Sequence, residues 1–327
     1  MLLACALLAV LPPNVQLHIQ PDEANAVLAI LDERAAKRPI REKDWSALFA
    51  TEGYVRLQQR EHSMKRKFEN EDFKAFAMSD ELLARRTELH RVIDTWSHAD
   101  LNGAAKRALA YLPPNAKISA TVYPVIKPAK NSFVFEGNAI FMYVENQSRE
   151  TFETIVAHEL HHIGYDSACP ESSEDLPANL KTLRNWLGAF GEGYATLAAG
   201  GDRDPEREMK PEVHKAFQDG VRDFGKNFRE VETFYLDVLD GRLTGDAARD
   251  RGFEFFGLVG PWYTVGWKMC VVIEKTLGRN ALISAFCDLR ALLGTYDRAA
   301  AIWRQRTGEA LPTWDPRLVN AFNSPSS

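Results

Sequence analysis

The chain has 327 residues, 45% of them hydrophobic and 26% charged. That balance excludes a disordered or fibrous chain and leaves room for one large domain or two ordinary ones. A formal charge of −5 argues against nucleic acid or an anionic membrane surface as an obligatory partner.

The chain opens on "MLLACALLAVLPP", too short an apolar run to span a bilayer, which takes about 20 residues. It resembles the apolar core of a secretion signal, and "LLA" before Cys5 resembles a bacterial lipoprotein processing site. A positive start and a clean cleavage site are missing, and Cys5 lies close to Met1; a start codon placed too far downstream accounts for both defects. Residues 1–20 are therefore read as a signal or lipoprotein-like leader, with an N-terminal lipid anchor and an extracytoplasmic location as its consequences. A buried apolar segment in a cytoplasmic protein is the alternative. Cys5, Cys169, Cys270 and Cys287 show no CxxC spacing and do not decide between them.

Residues 21–114 read as an all-helical region. "DEANAVLAILDERAAK" places Ala24, Val27, Leu28 and Leu31 on one face, and "ELLARRTELHRVIDTW" does the same with Leu82, Leu89, Val92, Ile93 and Trp96. The charge-rich "REHSMKRKFENEDFKAF" between them reads as a solvated helix. Pro113-Pro114 closes the block. "KISATVYPVIKP" and "SFVFEGNAIFMYV" are then rich in β-branched and aromatic residues and read as two neighbouring strands. Helical periodicity returns after "ENQS" and continues to the end, with loops near 166–178, 200–211, 240–252 and 257–261. The expectation is an α+β chain, mostly α, with residues 115–322 as the second domain.

"VAHELHHIGY", residues 156–165, carries three of the eight histidines. Ser148 is placed to cap its helix, with Glu150 and Glu153 in the first turn. Phe152, Ile155, Val156, Leu160 and Ile163 form the core-facing arc. His158 and His162 stand four positions apart, about 40° around the helix axis, so both imidazoles can point to one spot as tetrahedral zinc requires. Glu159 is displaced toward His162, where its carboxylate can reach a water without being a ligand, and His161 is turned away. This is the H-E-x-x-H pattern: two imidazoles hold the metal and the glutamate takes a proton from water. A catalytic zinc needs a third protein ligand. Asp166, Glu171, Glu174 and Asp175 are acids in the following loop. Glu192 has the stronger case: in "LPANLKTLRNWLGAFGEGYATLAAG" it points away from the apolar stripe Leu180, Leu183, Leu187, Phe190, Tyr194 and Leu197, among small residues that let another helix approach. Tyr165 and Ala168 occupy the positions where a metzincin has Gly and His, which excludes that class.

"HELHH" followed by "GEGYA" resembles the gluzincin metallopeptidases, in which one helix supplies H-E-x-x-H and a second a glutamate with alanine three residues later; Glu192 and Ala195 match that second element. The wider sequence, about residues 45–300 with "YTVGWKM" as a further part, is similar to a bacterial group of zinc-dependent peptidases. The resemblance implies a zincin-like core with a small sheet, an H-E-x-x-H helix and a glutamate-bearing second helix. It implies one Zn²⁺ per chain on His158, His162 and Glu192, with Glu159 as general base and a peptide or protein as substrate. It also implies that "FVFEGNAIFMYV" is the free sheet edge where an extended peptide adds, with Gly137-Asn138 suited to a bulge or a close ligand approach. Such chemistry needs a donor for the oxyanion. Tyr263, in the first turn of a helix opened by Pro261 and ending near Gly278, is the candidate, with His214 as alternative and Tyr165 and Tyr194 as supporting groups. A catalytically inactive zinc-binding scaffold for peptide or protein is the competing reading, and a metal-free helical interaction protein the third.

Overall fold

The computed structural model describes residues 13–169 and 175–321. The chain divides into two compact units, one of residues 1–105 and 117–163 and one of 106–116 and 164–327. Residues 1–12, which hold most of the leader-like stretch, and Glu171 and Glu174 lie outside the described residues.

The first unit carries β1 (Val15–Ile19), α1 (Asp22–Ala35), α2 (Glu42–Phe49), α3 (Glu52–Ser63), α4 (Asn70–Ala77), α5 (Asp80–Ala84), α6 (Arg86–Ser97), the start of α7 (Leu101–Leu109), β2 (Ile118–Val125), β3 (Phe133–Phe135), β4 (Ala139–Tyr143) and most of α8 (Arg149–Ala168). Its four strands form a mixed sheet in the order β1-β2-β4-β3. β1 pairs in parallel with β2, Val15 opposite Ile118, and β2 in parallel with β4, Thr121 opposite Ala139. Parallel neighbours need a crossover, and the helical stretch after β1 supplies one. Every residue of β4 is buried, the pattern of a central strand covered on both faces, which is why "AIFMY" is continuously apolar. Tyr123 stacks on Phe141 and Phe141 on Phe133 across three strands.

Four sequence expectations change here. Val15–Ile19, within the stretch read as a leader, is a strand whose partner lies a hundred residues onward. "SFVFEGNAIFMYV" is a hairpin: Phe135 pairs with Ala139, and Glu136 and Gly137 are both left-handed, φ 52° and 70°. Two consecutive left-handed residues reverse the chain, so Glu136, Gly137 and Asn138 form the turn between β3 and β4. β4, the strand before the metal-motif helix, is therefore flanked by β2 and β3 and is no free edge; among the described strands the outer positions belong to β1 and β3. The stretch 60–76 is likewise interrupted between α3 and α4, with Lys65 left-handed.

The second unit carries the rest of α7 and α8, then α9 (Ala178–Gly188), α10 (Gly191–Gly200), α11 (Pro211–Arg222), α12 (Phe224–Leu239), α13 (Gly245–Glu254), α14 (Pro261–Leu277), α15 (Arg279–Cys287), α16 (Leu292–Thr307) and α17 (Pro316–Asn320). α14 is apolar nearly all round and is its central helix, packed by α10, α11, α12, α15 and α16. It begins on Pro261 and stops at Gly278, φ 89°, as the sequence predicts. Aromatic rings fill the core: Trp262 meets Trp186, Phe190, Tyr235 and Phe255. Two expectations change. The predicted single helix over 178–200 is two, broken at Ala189-Phe190, although the apolar stripe runs through the break and Leu183, Leu187, Phe190, Tyr194 and Leu197 are all buried. The loop expected near 240–252 contains α13. Cys169 and Cys287 are joined by a disulfide. No helix among the described residues is long and apolar enough to cross a membrane.

Candidate metal centre

α8 is the helix that carries the H-E-x-x-H residues. The Ser148 hydroxyl accepts from the Thr151 backbone N–H at 3.0 Å, which starts the helix where the sequence places it. The Glu150 carboxyl is held below its ordinary range by its own backbone N–H and by Ser148. Phe152, Val156 and Leu160 are fully buried, and Phe152 stacks on Trp96 at 4.5 Å. With that stripe fixed, the helical rotation of His158 and His162 is fixed as well.

The Nε2 atoms of His158 and His162 lie 3.1 Å apart, and the rings meet edge to face at 4.8 Å. Two nitrogens held about 2.0–2.1 Å from one tetrahedral zinc sit about 3.3 Å from each other, so the pair is already close to the spacing a shared ion demands. Both rings are half-buried, as is Glu159. His161, read as turned away from Glu159, is 1% exposed, deeper than either ligand candidate.

Glu192 stands half-buried in the first turn of α10. Among the described residues, His158, His162 and Glu192 form a group able to hold a metal ion, with one ligand atom from each and all of these within 4.8 Å of one another. Two nitrogens and a carboxylate oxygen are a donor set suited to zinc with a position left over for water. Asp175 and Asp166 are exposed, and neither belongs to that group.

Of the candidate oxyanion donors, Tyr263 is half-buried in the first turn of α14, and its ring meets Phe256 at 6.4 Å. His214 is engaged elsewhere, its Nε2 within 3.0 Å of both Asp204 carboxylate oxygens and 2.9 Å from Gln218 Nε2. The Tyr165 hydroxyl donates to the Phe286 carbonyl at 2.6 Å, and burial pushes its pKa up to about 12. Tyr194 donates to the Tyr111 carbonyl and is held protonated by burial. Both phenols anchor helices. Gly193 lies inside α10, and a glycine inside a helix is a signal in itself, since it costs about 1 kcal/mol relative to alanine.

Residues 45–302 match the family described as "Putative zinc dependent peptidase (DUF5700)". No curated protein and no solved structure matches the chain.

Proposed function

Because the chain belongs to that zinc-dependent peptidase family, we propose that it is a gluzincin-type metallopeptidase that hydrolyses a peptide bond in a peptide or protein substrate. The observation that carries this reading is the donor geometry: two imidazole nitrogens 3.1 Å apart on one helix, with a carboxylate from a second helix inside the same small space. His158, His162 and Glu192 would hold one Zn²⁺ per chain in a zincin-like core. Bound there, zinc lowers the pKa of water toward about 7 and polarises a carbonyl oxygen. Glu159 takes a proton from the attacking water on its carboxylate and returns it to the leaving amine. Tyr263 donates its hydroxyl hydrogen to the carbonyl oxygen as negative charge develops there. The Cys169–Cys287 disulfide supports an oxidising, extracytoplasmic location, because thiol-reducing compartments do not maintain such bonds.

Glu159→Gln separates this reading from the inactive scaffold. The variant is expected to retain about one zinc per chain by elemental analysis, with peptide turnover reduced at least a hundredfold, the low end of general acid–base contributions. Turnover equal to the parent would remove Glu159 from catalysis. Parent protein that holds zinc and cleaves nothing in a broad peptide library would favour the scaffold.

A further inference from the structure

We infer that Gly193 is a positioning residue for Glu192, acting through a glycine-to-glycine crossing of α10 and α14; the inference rests on the proposed role of Glu192 as third ligand. The observation lies wholly within the second unit. A methyl group built on Gly193 would stand 2.1 Å from the Trp267 backbone nitrogen, 2.4 Å from the Gly266 carbonyl carbon and 2.6 Å from the Tyr263 carbonyl oxygen. All three are backbone atoms of α14, so no side chain can swing aside. On the other helix, a methyl on Gly266 would meet the Phe190 oxygen at 2.9 Å and Gly193 Cα at 3.3 Å. The two backbones touch, and neither glycine has an obliging neighbour.

Rotation is blocked as well. Trp267 Nε1 donates to the carbonyl of Gly201, the residue that terminates α10, at 2.9 Å. Tyr194, next along the helix, stacks on Phe286 at 4.3 Å and bonds the Tyr111 carbonyl through its hydroxyl. α10 is therefore held in height by Gly193, at its far end by Trp267 and about its axis by Tyr194. Glu192, adjacent to the contact, inherits that position, and so does the distance from its Cα to the turn bearing Tyr263.

Magnitudes decide what a side chain at Gly193 would do. Non-bonded atoms settle about 3.5 Å apart, so a methyl would drive α10 off α14 by roughly 1 Å. Metal–ligand distances tolerate about 0.2 Å. The displacement exceeds the tolerance several-fold, so the carboxylate would leave the ligand position before the helix lost its fold.

The experiment measures zinc affinity by chelator competition for the full chain and for Gly193→Ala, Glu192→Gln and the double variant. Gly193→Ala is expected to bind zinc about 10- to 100-fold more weakly, the usual range for groups that orient a ligand. The double variant should bind no more weakly than Glu192→Gln alone, because the glycine acts only through that carboxylate. A Gly193→Ala protein with parental affinity overturns the inference, and so does a double variant whose losses simply multiply. Should Gly193→Ala not fold, Gly266→Ala carries the same test with a milder intrusion. Parental affinity in Glu192→Gln would instead remove the third-ligand reading, and the positioning inference with it.

Discussion

The most informative single residue away from the candidate metal centre is Glu23. It is fully buried at the start of α1, and its Oε2 accepts from the Ile126 backbone N–H at 2.9 Å. Burial pushes its carboxyl from 4.5 up to about 8, against the pull of that N–H in the other direction. Between those two pH values the folded chain holds a proton that the unfolded chain has released, so stability falls as pH rises through this window. At pH 7 the deficit is roughly 3 kcal/mol, at about 1.4 kcal/mol per pH unit. Glu23→Gln keeps an acceptor for Ile126 and removes the titration. It should raise unfolding stability by roughly that amount at pH 7, with the gain fading toward pH 4.5 in urea denaturation. A gain that does not change with pH would mean that Glu23 is ionised in the fold. The same scale shows what the sequence does and does not reveal. His158 and His162 are legible because their relation is set by one helical turn, whereas the burial of His161 is not written in the period of its own helix.

At the scale of elements, the hairpin formed by β3 and β4 turns on two left-handed residues. Gly137 has nothing within 4 Å of a built Cβ, so Gly137→Ala introduces no clash and only the cost of φ 70°, about 1–2 kcal/mol. Gly137→Asn should lose less, because asparagine tolerates this conformation. Thermal unfolding of the two variants in parallel tests the turn; equal stability of alanine, asparagine and parent would argue for a different chain path. The sequence presents this hairpin as one strand because both arms are apolar and only the short polar triplet Glu136-Gly137-Asn138 separates them. α9 and α10 are hidden for a related reason: Leu187, Phe190 and Tyr194 keep one apolar stripe across the break, and periodicity records the stripe rather than the hydrogen bonds. β1 is obscured by distance, since "VQLHI" becomes a strand only through pairing with residues 118–122. Long, locally encoded helices such as α1, α8 and α14 are the elements the sequence does specify, together with the Ser148 cap of α8 and the Pro261 and Gly278 ends of α14.

For the whole molecule, the largest constraint the sequence conceals is the Cys169–Cys287 link. The partners are 118 residues apart, and no spacing rule pairs cysteines at that range. One end lies immediately after α8, the helix bearing the histidine pair, and the other closes α15. Beside it the Tyr165 hydroxyl reaches the Phe286 carbonyl, so a covalent and a polar tie hold the same two chain ends. Cross-linking a loop of this length removes about 4–5 kcal/mol worth of unfolded-chain entropy. In a unit of this size each kcal/mol moves the melting temperature by about 2–4 °C. A phosphine reductant, or Cys169→Ser with Cys287→Ser, should therefore lower the melting temperature of the second unit by roughly 10–15 °C. Alkylation of the denatured chain should gain two sites on reduction. Buried Cys270 does not belong to this pair, so Cys270→Ser should leave that gain unchanged. An unchanged melting temperature, despite two newly accessible thiols, would show that packing around Tyr165 and Phe286 holds these chain ends without the covalent bond.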